Sequence, residues 1–305
     1  MKFEVTILGS SSATPIYNRN PSAQILNINE RLYLVDCGEG TQQQMLRFDV
    51  KASRIDHIFI SHLHGDHYLG LVGLLSSMHL NGRVKTLKLF GPPELKEIID
   101  LQLKYSDTTL QYPLEFIATH TNGPELILDT TDITVESIPL DHRIATTGFL
   151  FKQKKRLKKI IKEKIVELNI PINQFSEIKK GADYIAPDGT VYKNWEITNN
   201  PKEPKSYAYC SDTIYDESYF DQISNVDLLY HESTFLHSML DRAQSTFHTT
   251  ALQAGEVALK TGAKKLLIGH FSARYKTLTE LLDEAISVFP ETELAVEGKT
   301  FVIES

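Results

Sequence analysis

His62-Leu63-His64-Gly65-Asp66-His67 places four side chains able to ligate a metal within six residues. It stands directly after the apolar run Ile55 to Ile60 and directly before a helical pattern that starts near Tyr68. In extended chain, side chains repeat every two residues, so His62 and His64 point to the same side. Asp66 and His67 then approach from the helix entrance. Imidazole and carboxylate are ligands that zinc accepts at about 2.0 to 2.2 Å, and no cysteine cluster accompanies them, so an open catalytic site is preferred to a closed structural one. The bland alternative, unrelated surface histidines in a polar loop, does not account for this density beside a strand end.

Open sheets gather their sites at strand ends, and three further strand ends carry donors. The run ending at Leu140 is followed by Asp141-His142, the run Tyr207 to Cys210 by Ser211-Asp212, and Leu266 to Gly269 by His270. Each alone is more often a cap or turn residue; recurrence at three separate strand ends is harder to dismiss. With the first cluster there are seven donors: His62, His64, Asp66, His67, His142, Asp212 and His270. One tetrahedral zinc cannot use so many, and two metals sharing a bridging carboxylate become the natural arrangement.

The remaining pattern is that of an ordinary soluble chain. At 305 residues, 41% hydrophobic and 23% charged, it has room for one or two domains and contains no stretch of about 18 apolar residues. No membrane span is expected. Met1 to Gly9 alternates like a strand, with Glu4 where a signal peptide needs unbroken apolar residues, so a cytoplasmic protein is expected. Cys37 and Cys210 end apolar runs and read as small buried hydrophobes without a catalytic role. Strand-length runs recur at Phe3 to Leu8, Ala23 to Ile28, Leu32 to Val35, Leu87 to Phe90, Ile133 to Leu140, Tyr207 to Tyr209, Val226 to Tyr230 and Leu266 to Ile268. Helical spacing is found at Tyr68 to Leu80, Pro92 to Tyr105, Thr249 to Thr261 and Thr277 to Phe289. Strands outnumber helices, so two sheets covered by helices fit better than pure βαβ alternation.

Charge is unevenly spread. Lys152 to Lys180 holds ten Lys or Arg against three Glu, a net +7 within a chain of net -7, so the rest carries -14. A solvated amphipathic helix is the plain alternative for such a run. An overall acidic surface repels phosphate, and any nucleic-acid affinity must come from a local patch of this kind.

These residues resemble the metallo-β-lactamase superfamily, whose HxHxDH motif stands here as His62 to His67, and within it the tRNase Z enzymes, over nearly the whole length. The resemblance implies an α/β (α+β) four-layer αββα sandwich. It would be a single catalytic domain over residues 1–305, with an inserted flexible arm over 152–203. It implies two Zn2+ per subunit, the first held by His62, His64 and His142, the second by Asp66, His67 and His270, with Asp212 bridging. His231-Glu232-Ser233-Thr234 looks like the family's HEAT motif and His248-Thr249-Thr250 like its HST motif, each differing at one small residue. Pro15-Ile16-Tyr17-Asn18-Arg19-Asn20 resembles the PxKxRN loop that contacts the tRNA 3′ end, with Tyr17 in place of the usual lysine. His270-Phe271-Ser272-Ala273-Arg274-Tyr275 resembles the last ligand signature and makes Arg274 a candidate phosphate contact, with a plain surface arginine as the alternative.

The basic stretch falls where the family inserts an arm that binds the tRNA elbow. Lys154, Lys155 and Arg156 therefore join Arg19, Asn20 and Arg274 as candidate substrate contacts. Asp66 is expected to accept the attacking water's remaining hydrogen bond or its proton, and His248, oriented by Glu232, to neutralise charge on the departing 3′ oxygen or protonate it. The implied substrate is precursor tRNA, cut to a 3′ hydroxyl and a trailer with a 5′ phosphate, by a homodimer. Asp36 and Glu39 are expected to brace the metal-site loop. His231 is expected to support the site without joining it, and His57, His79, His120 and His237 to be structural or surface residues. Two alternatives share part of the pattern: a thioester or lactam hydrolase of the same superfamily, and an RNA-binding module with a structural metal.

Overall fold

Phe3, Val5 and Ile7 alternate with Glu4 and Thr6, so the first strand, β1 (Phe3–Gly9), sends its large apolar side chains to one face. β2 (Ala23–Ile28) and β3 (Arg31–Val35) form an antiparallel hairpin. Its turn residues Asn29 and Glu30 have φ of 51° and 68°, the sign that a two-residue primed turn demands. Helix and parallel strand then alternate: α1 (Thr41–Arg47), β4 (Ile55–Phe59), α2 (Gly65–Tyr68), α3 (Leu71–Leu80), β5 (Leu87–Gly91), α4 (Glu94–Tyr105) and β6 (Leu114–Ala118). In this computed structural model, which describes residues 2–303, these strands make a seven-stranded sheet closed at its other edge by Thr300–Val302.

A second seven-stranded sheet begins with the antiparallel β7 (Glu125–Asp129), β8 (Ile133–Leu140) and β9 (Thr146–Gln153). The chain then leaves for an insertion made of β10 (Lys159–Ile160), α5 (Lys162–Glu167), α6 (Phe175–Lys180), β11 (Tyr184–Ile185), β12 (Val191–Tyr192), α7 (Asn194–Ile197) and β13 (Thr198–Asn199). It returns as β14 (Ser206–Cys210), which pairs with β9, and continues through the parallel strands β15 (Leu228–Glu232), β16 (Leu266–Gly269) and β17 (Thr292–Leu294). Between them lie α8 (Leu240–Ser245), α9 (Ala251–Thr261) and α10 (Thr279–Val288), before β18 (Thr300–Val302). Thr250 caps α9, its hydroxyl accepting from Gln253 N at 3.3 Å, which is why this helix starts at residue 251.

The facing surfaces of the two sheets share one core, in which Phe59, Phe149 and Phe151 pack ring against ring at 5.3 Å. Leu71, Leu74 and Leu75 of α3 and Leu95 and Ile99 of α4 cover the outer face of the first sheet. Ala254, Val257 and Ala258 of α9 and Leu281 and Ala285 of α10 cover that of the second. Four layers result, αββα, as the resemblance implies. Among the described residues no helix is long and apolar enough to cross a membrane.

Residues 153–204 form a unit of their own. Ile160, Ile170, Ile178, Tyr184 and Ile197 make its core, and Asn194 Nδ2 ties it by donating to the carbonyls of Ile178 and Ala182, both at 2.7 Å. Eleven Lys or Arg against seven Asp or Glu give the unit a net +4. The basic run is therefore not one amphipathic helix: it is divided between a strand and two six-residue helices around a small apolar centre.

Candidate metal centre

The carboxyl ends of parallel strands from both sheets converge on one point, and every donor singled out in the sequence sits there. The segment after β4 carries Ser61, His62 and His64, α2 carries Asp66 and His67, the turn after β8 carries His142, β15 ends at Glu232, and Asp212 and His270 follow just after β14 and β16. His62, His64, His142 and Asp212 each offer an atom within 4.8 Å of the others, as do Asp66, His67 and His270. Asp212 serves both groups with different oxygens. Its Oδ2 stands 3.6 Å from His62 Nε2 and 3.9 Å from His142 Nε2, whereas Oδ1 stands 3.4 Å from His67 Nε2 and 3.2 Å from His270 Nε2. Asp66 Oδ2 lies 3.6 Å from His67 Nε2 and 3.3 Å from His270 Nε2.

The partners on the outer side of each ring determine its tautomer. Asp36 accepts from His67 Nδ1 at 2.8 Å, and the Phe247 carbonyl accepts from His142 Nδ1 at 2.7 Å. The Ser61 hydroxyl gives its proton to Asp36 Oδ2 at 2.9 Å, so it accepts from His62 Nδ1 at 3.0 Å. By the same logic the Thr234 hydroxyl donates to Glu232 Oε2 at 2.7 Å and accepts from His270 Nδ1 at 2.9 Å. In the neutral form four imidazoles then turn unprotonated Nε2 atoms inward. Pairs of nitrogens accordingly face each other, His62 Nε2 with His64 Nδ1 at 3.1 Å and His67 Nε2 with His270 Nε2 at 3.3 Å. Converging lone pairs need a cation between them. Asp212 Oδ1 is buried and meets no hydrogen bond, which also fits a group that completes its valence elsewhere. The centre is one for a divalent metal.

Electrostatics agree. Burial holds His62 well below its ordinary pKa and brings His142 down to about 4, so both stay neutral and able to ligate. Burial acts the same way on His67, but Asp212, Asp66 and Asp36 outweigh it and drive this ring up, a demand for positive charge that a metal ion meets. Asp212 stays ionised despite burial because His270 and His67 face it. Asp36 and His270 hold positive φ, 55° and 59°, a backbone uncommon outside glycine that Asp and His tolerate better than most, at the points where the chain must turn side chains into the centre. Gly269 before His270 has no room for a Cβ, which would fall 2.3 Å from Tyr230 Oη.

Beside the metal donors, Glu232 is wholly buried and accepts from His248 Nδ1 at 2.9 Å and from the backbone N–H groups of Thr234 and Thr249, both at 2.9 Å. Burial opposes a charge on His248, yet the Glu232 carboxylate raises this ring to about 9. A cavity of about 300 Å³ opens on the cluster, lined by His64, Asp66, Asp212, His248, His270 and Arg143 among others. His231 turns away, its Nε2 accepting from Tyr219 Oη at 2.8 Å. Glu39 is exposed at the cavity rim. Cys37 and Cys210 are buried free thiols, the former pushed up to about 12 by burial.

The candidate substrate residues are dispersed. Arg19 folds back, its guanidinium donating to the Tyr275 carbonyl at 2.7 Å and lying 5.5 Å from the Tyr17 ring centre. Asn20 accepts on its carbonyl from the N–H groups of Ser10 and Ser11 and so fastens its loop, which reaches the centre through Ala13 N–H donating to Asp66 Oδ2 at 2.7 Å. Arg274 is exposed outside the cavity lining. Lys155 and Arg156 are exposed and Lys154 partly so, all in the 153–204 unit. Sequence reasoning assigned nothing to Ser61, Thr234, Tyr209 (which donates to Asp36 Oδ2 at 2.6 Å) or Arg143. Ser61 adjoins the first motif and Thr234 is the last residue of the HEAT-like one, yet neither hydroxyl was given a role there.

Comparison with known proteins places this geometry. A family model described as "Anti-Pycsar protein Apyc1" matches residues 3–158, the half that carries six of the seven strands of the first sheet, His62 to His67 and His142. Ribonuclease Z of Cytophaga hutchinsonii is 49% identical over 304 residues, covering 99% of this chain and 97% of that protein. Ribonuclease Z of Phocaeicola vulgatus is 46% identical, covering 100% and 98%. The short form of human tRNase Z has the same fold with a TM-score of 0.71 at 25% identity, covering 99% of this chain and 100% of that one. The metallo-β-lactamase fold protein YhfI of Bacillus subtilis, at 20% identity, covers 98% of each chain with a TM-score of 0.70. The chain belongs to the ribonuclease Z family of metallo-β-lactamase fold proteins, and its first half also falls within the family that the matched model describes.

Proposed function

We propose that this chain is a two-zinc endoribonuclease that removes the 3′ trailer from precursor tRNA, and that it works in the cytoplasm as a homodimer. One observation carries the reading most directly: Asp212 offers one oxygen to His62 and His142 and the other to His67 and His270, the arrangement a carboxylate shared by two metals requires. We assign His62, His64 and His142 to the first zinc and Asp66, His67 and His270 to the second. When bound there, the zinc ions supply positive charge to the scissile phosphate and lower the pKa of the attacking water.

The chain's own groups handle the protons. The Asp66 carboxylate, at the cavity and held by Ala13 N–H, accepts the proton of the water whose oxygen forms the new bond to phosphorus. His248 Nδ1 is committed to Glu232, so Nε2 is left to donate to the 3′ oxygen as its bond to phosphorus breaks. The tRNA then leaves with a 3′ hydroxyl and the trailer with a 5′ phosphate. Lys154, Lys155 and Arg156 in the 153–204 unit bind the tRNA elbow through its phosphates, with Arg19, Asn20 and Arg274 nearer the 3′ end.

Precursor tRNA, a thioester and a lactam are incubated with the zinc-loaded protein and again after chelation; metal-dependent cleavage of the RNA alone is expected. His67→Ala is expected to keep the fold by circular dichroism, to fall from two zinc ions per chain to about one by mass spectrometry, and to lose cleavage. Turnover retained in that variant, or hydrolysis of the thioester in preference to the RNA, would remove the proposal. Light scattering checks the dimer.

A further inference from the structure

Arg143 follows the buried donor His142 directly and occupies the short turn between β8 and β9. The base of that turn is held: Asp141 N–H donates to Thr213 Oγ1 at 3.2 Å, the Asp141 carbonyl accepts from Ile214 N at 2.9 Å, and Thr146 Oγ1 donates to the Ile144 carbonyl at 2.9 Å. The side chain is exposed, yet it lines the same 300 Å³ cavity as the metal donors. No ion pair or hydrogen bond engages its guanidinium among the described residues. The other charged side chains lining the cavity, apart from its histidines, are the carboxylates of Glu39, Asp66 and Asp212.

An arginine left without a carboxylate partner, in a cavity that otherwise presents acids, is placed for an anion that arrives from outside. We infer that Arg143 binds the scissile phosphate itself, its guanidinium donating to the non-bridging oxygen turned away from the metal donors, and so acts as a catalytic residue that neutralises charge as the phosphorus becomes five-coordinate. The inference rests on the phosphodiesterase reading of the centre. A planar guanidinium aims its N–H groups at that oxygen in a fixed direction, which a rotating ammonium on a flexible stem does not, so the residue type matters as well as its charge.

The test compares wild type, Arg143→Ala and Arg143→Lys, each zinc-loaded, on precursor tRNA and on bis-p-nitrophenyl phosphate, which offers a phosphodiester and nothing else for the chain to hold. The Ala variant is expected to lose roughly 10²-fold in kcat/KM on both substrates, the Lys variant to recover part of it, and both to keep the wild-type zinc content and thermal midpoint. Loss confined to precursor tRNA would overturn the inference by moving Arg143 to a flanking phosphate, and unchanged rates on both would overturn it outright. Should the wild-type protein hydrolyse neither substrate, the reading of the centre fails instead, and the two failures are told apart in one experiment.

Discussion

Glu232 illustrates how much a single buried carboxylate can organise. Its Oε1 accepts from His248 Nδ1 and Thr249 N, its Oε2 from Thr234 N and Thr234 Oγ1, and that same hydroxyl accepts from His270 Nδ1. One residue thereby orients the proposed acid and a proposed ligand together. Replacing Glu232 itself would disturb all of these contacts, so the sharper probe is His248→Gln, which removes the titrating ring and keeps an amide able to donate to Glu232. With His248 as general acid, kcat on precursor tRNA is expected to fall by roughly 10²–10⁴-fold at unchanged zinc content. The pH dependence has a definite sign. The His248 pKa in the folded chain, about 9, lies above its ordinary 6.5. The stabilisation from this pair is thus fully present below pH 6.5 and is lost as pH rises through 9. In chelated protein, the thermal midpoint of wild type should drop over that window by more than that of His248→Gln.

At the scale of elements, the sequence carries most of what decides the site. The pattern at Ile55 to His67 indicates a strand that ends in an extended segment and enters a helix, and β4 and α2 are just that. The helix expected over Tyr68 to Leu80 is instead two pieces, α2 ending at Tyr68 and α3 starting at Leu71. The break is a tertiary event. Gly70 N–H donates to the Cys37 carbonyl at 2.9 Å and Cys37 N–H to the His67 carbonyl at 2.7 Å, so the chain bends to dock the His67 segment on the turn that carries Asp36. Periodicity cannot reveal a contact between residues thirty or more positions apart. The same holds for β18, whose partner β1 lies at the other end of the chain, and β6 escaped notice because its residues are only half-buried. Ligand positions were legible because each follows an apolar strand; the roles of the hydroxyls that set their tautomers were not, since serine and threonine follow strands everywhere, and even Thr234, inside the HEAT-like motif, shows its partners only in the fold. The Gly70 contact is measurable. A Cβ there would lie 2.2 Å from the Gly38 carbonyl oxygen, whereas one at Gly73, three residues on, finds no atom beyond its own helix nearer than Gln42 Oε1 at 3.5 Å. Gly70→Ala should therefore lower stability by about 1–3 kcal/mol or more, read as a lower denaturant midpoint at unchanged slope. Gly73→Ala should leave it level or raise it by about 0.5–1 kcal/mol.

For the whole molecule the question is how an acidic chain comes to hold a polyanion. Residues 153–204 carry +4 against -7 for the entire chain, so the rest carries -11 and gains no general attraction for RNA. On our reading the insertion supplies affinity and the sandwich supplies chemistry, and the structure offers a clean way to part them. The three apolar cores of the sandwich include no residue from 153–204, and the core of the insertion includes none from outside it. Lys152 in β9 pairs with Ser206 in β14, so replacing 154–204 with a short Gly-Ser turn joins two strands that are already neighbours. Cutting only the basic run, residues 152–180, would instead split Ile160, Ile170 and Ile178 from Tyr184 and Ile197 and expose apolar surface. The shortened protein is expected to keep its zinc and to hydrolyse bis-p-nitrophenyl phosphate at the wild-type rate, because no proposed ligand or proton-transfer group has been touched. Its Kd for precursor tRNA should weaken at least roughly tenfold, and the slope of log K against log salt should flatten by about 0.7–0.9 for each phosphate contact removed. Filter binding across a salt series measures both, and equal loss on the small ester and the RNA would show that the insertion serves the centre itself instead of the tRNA.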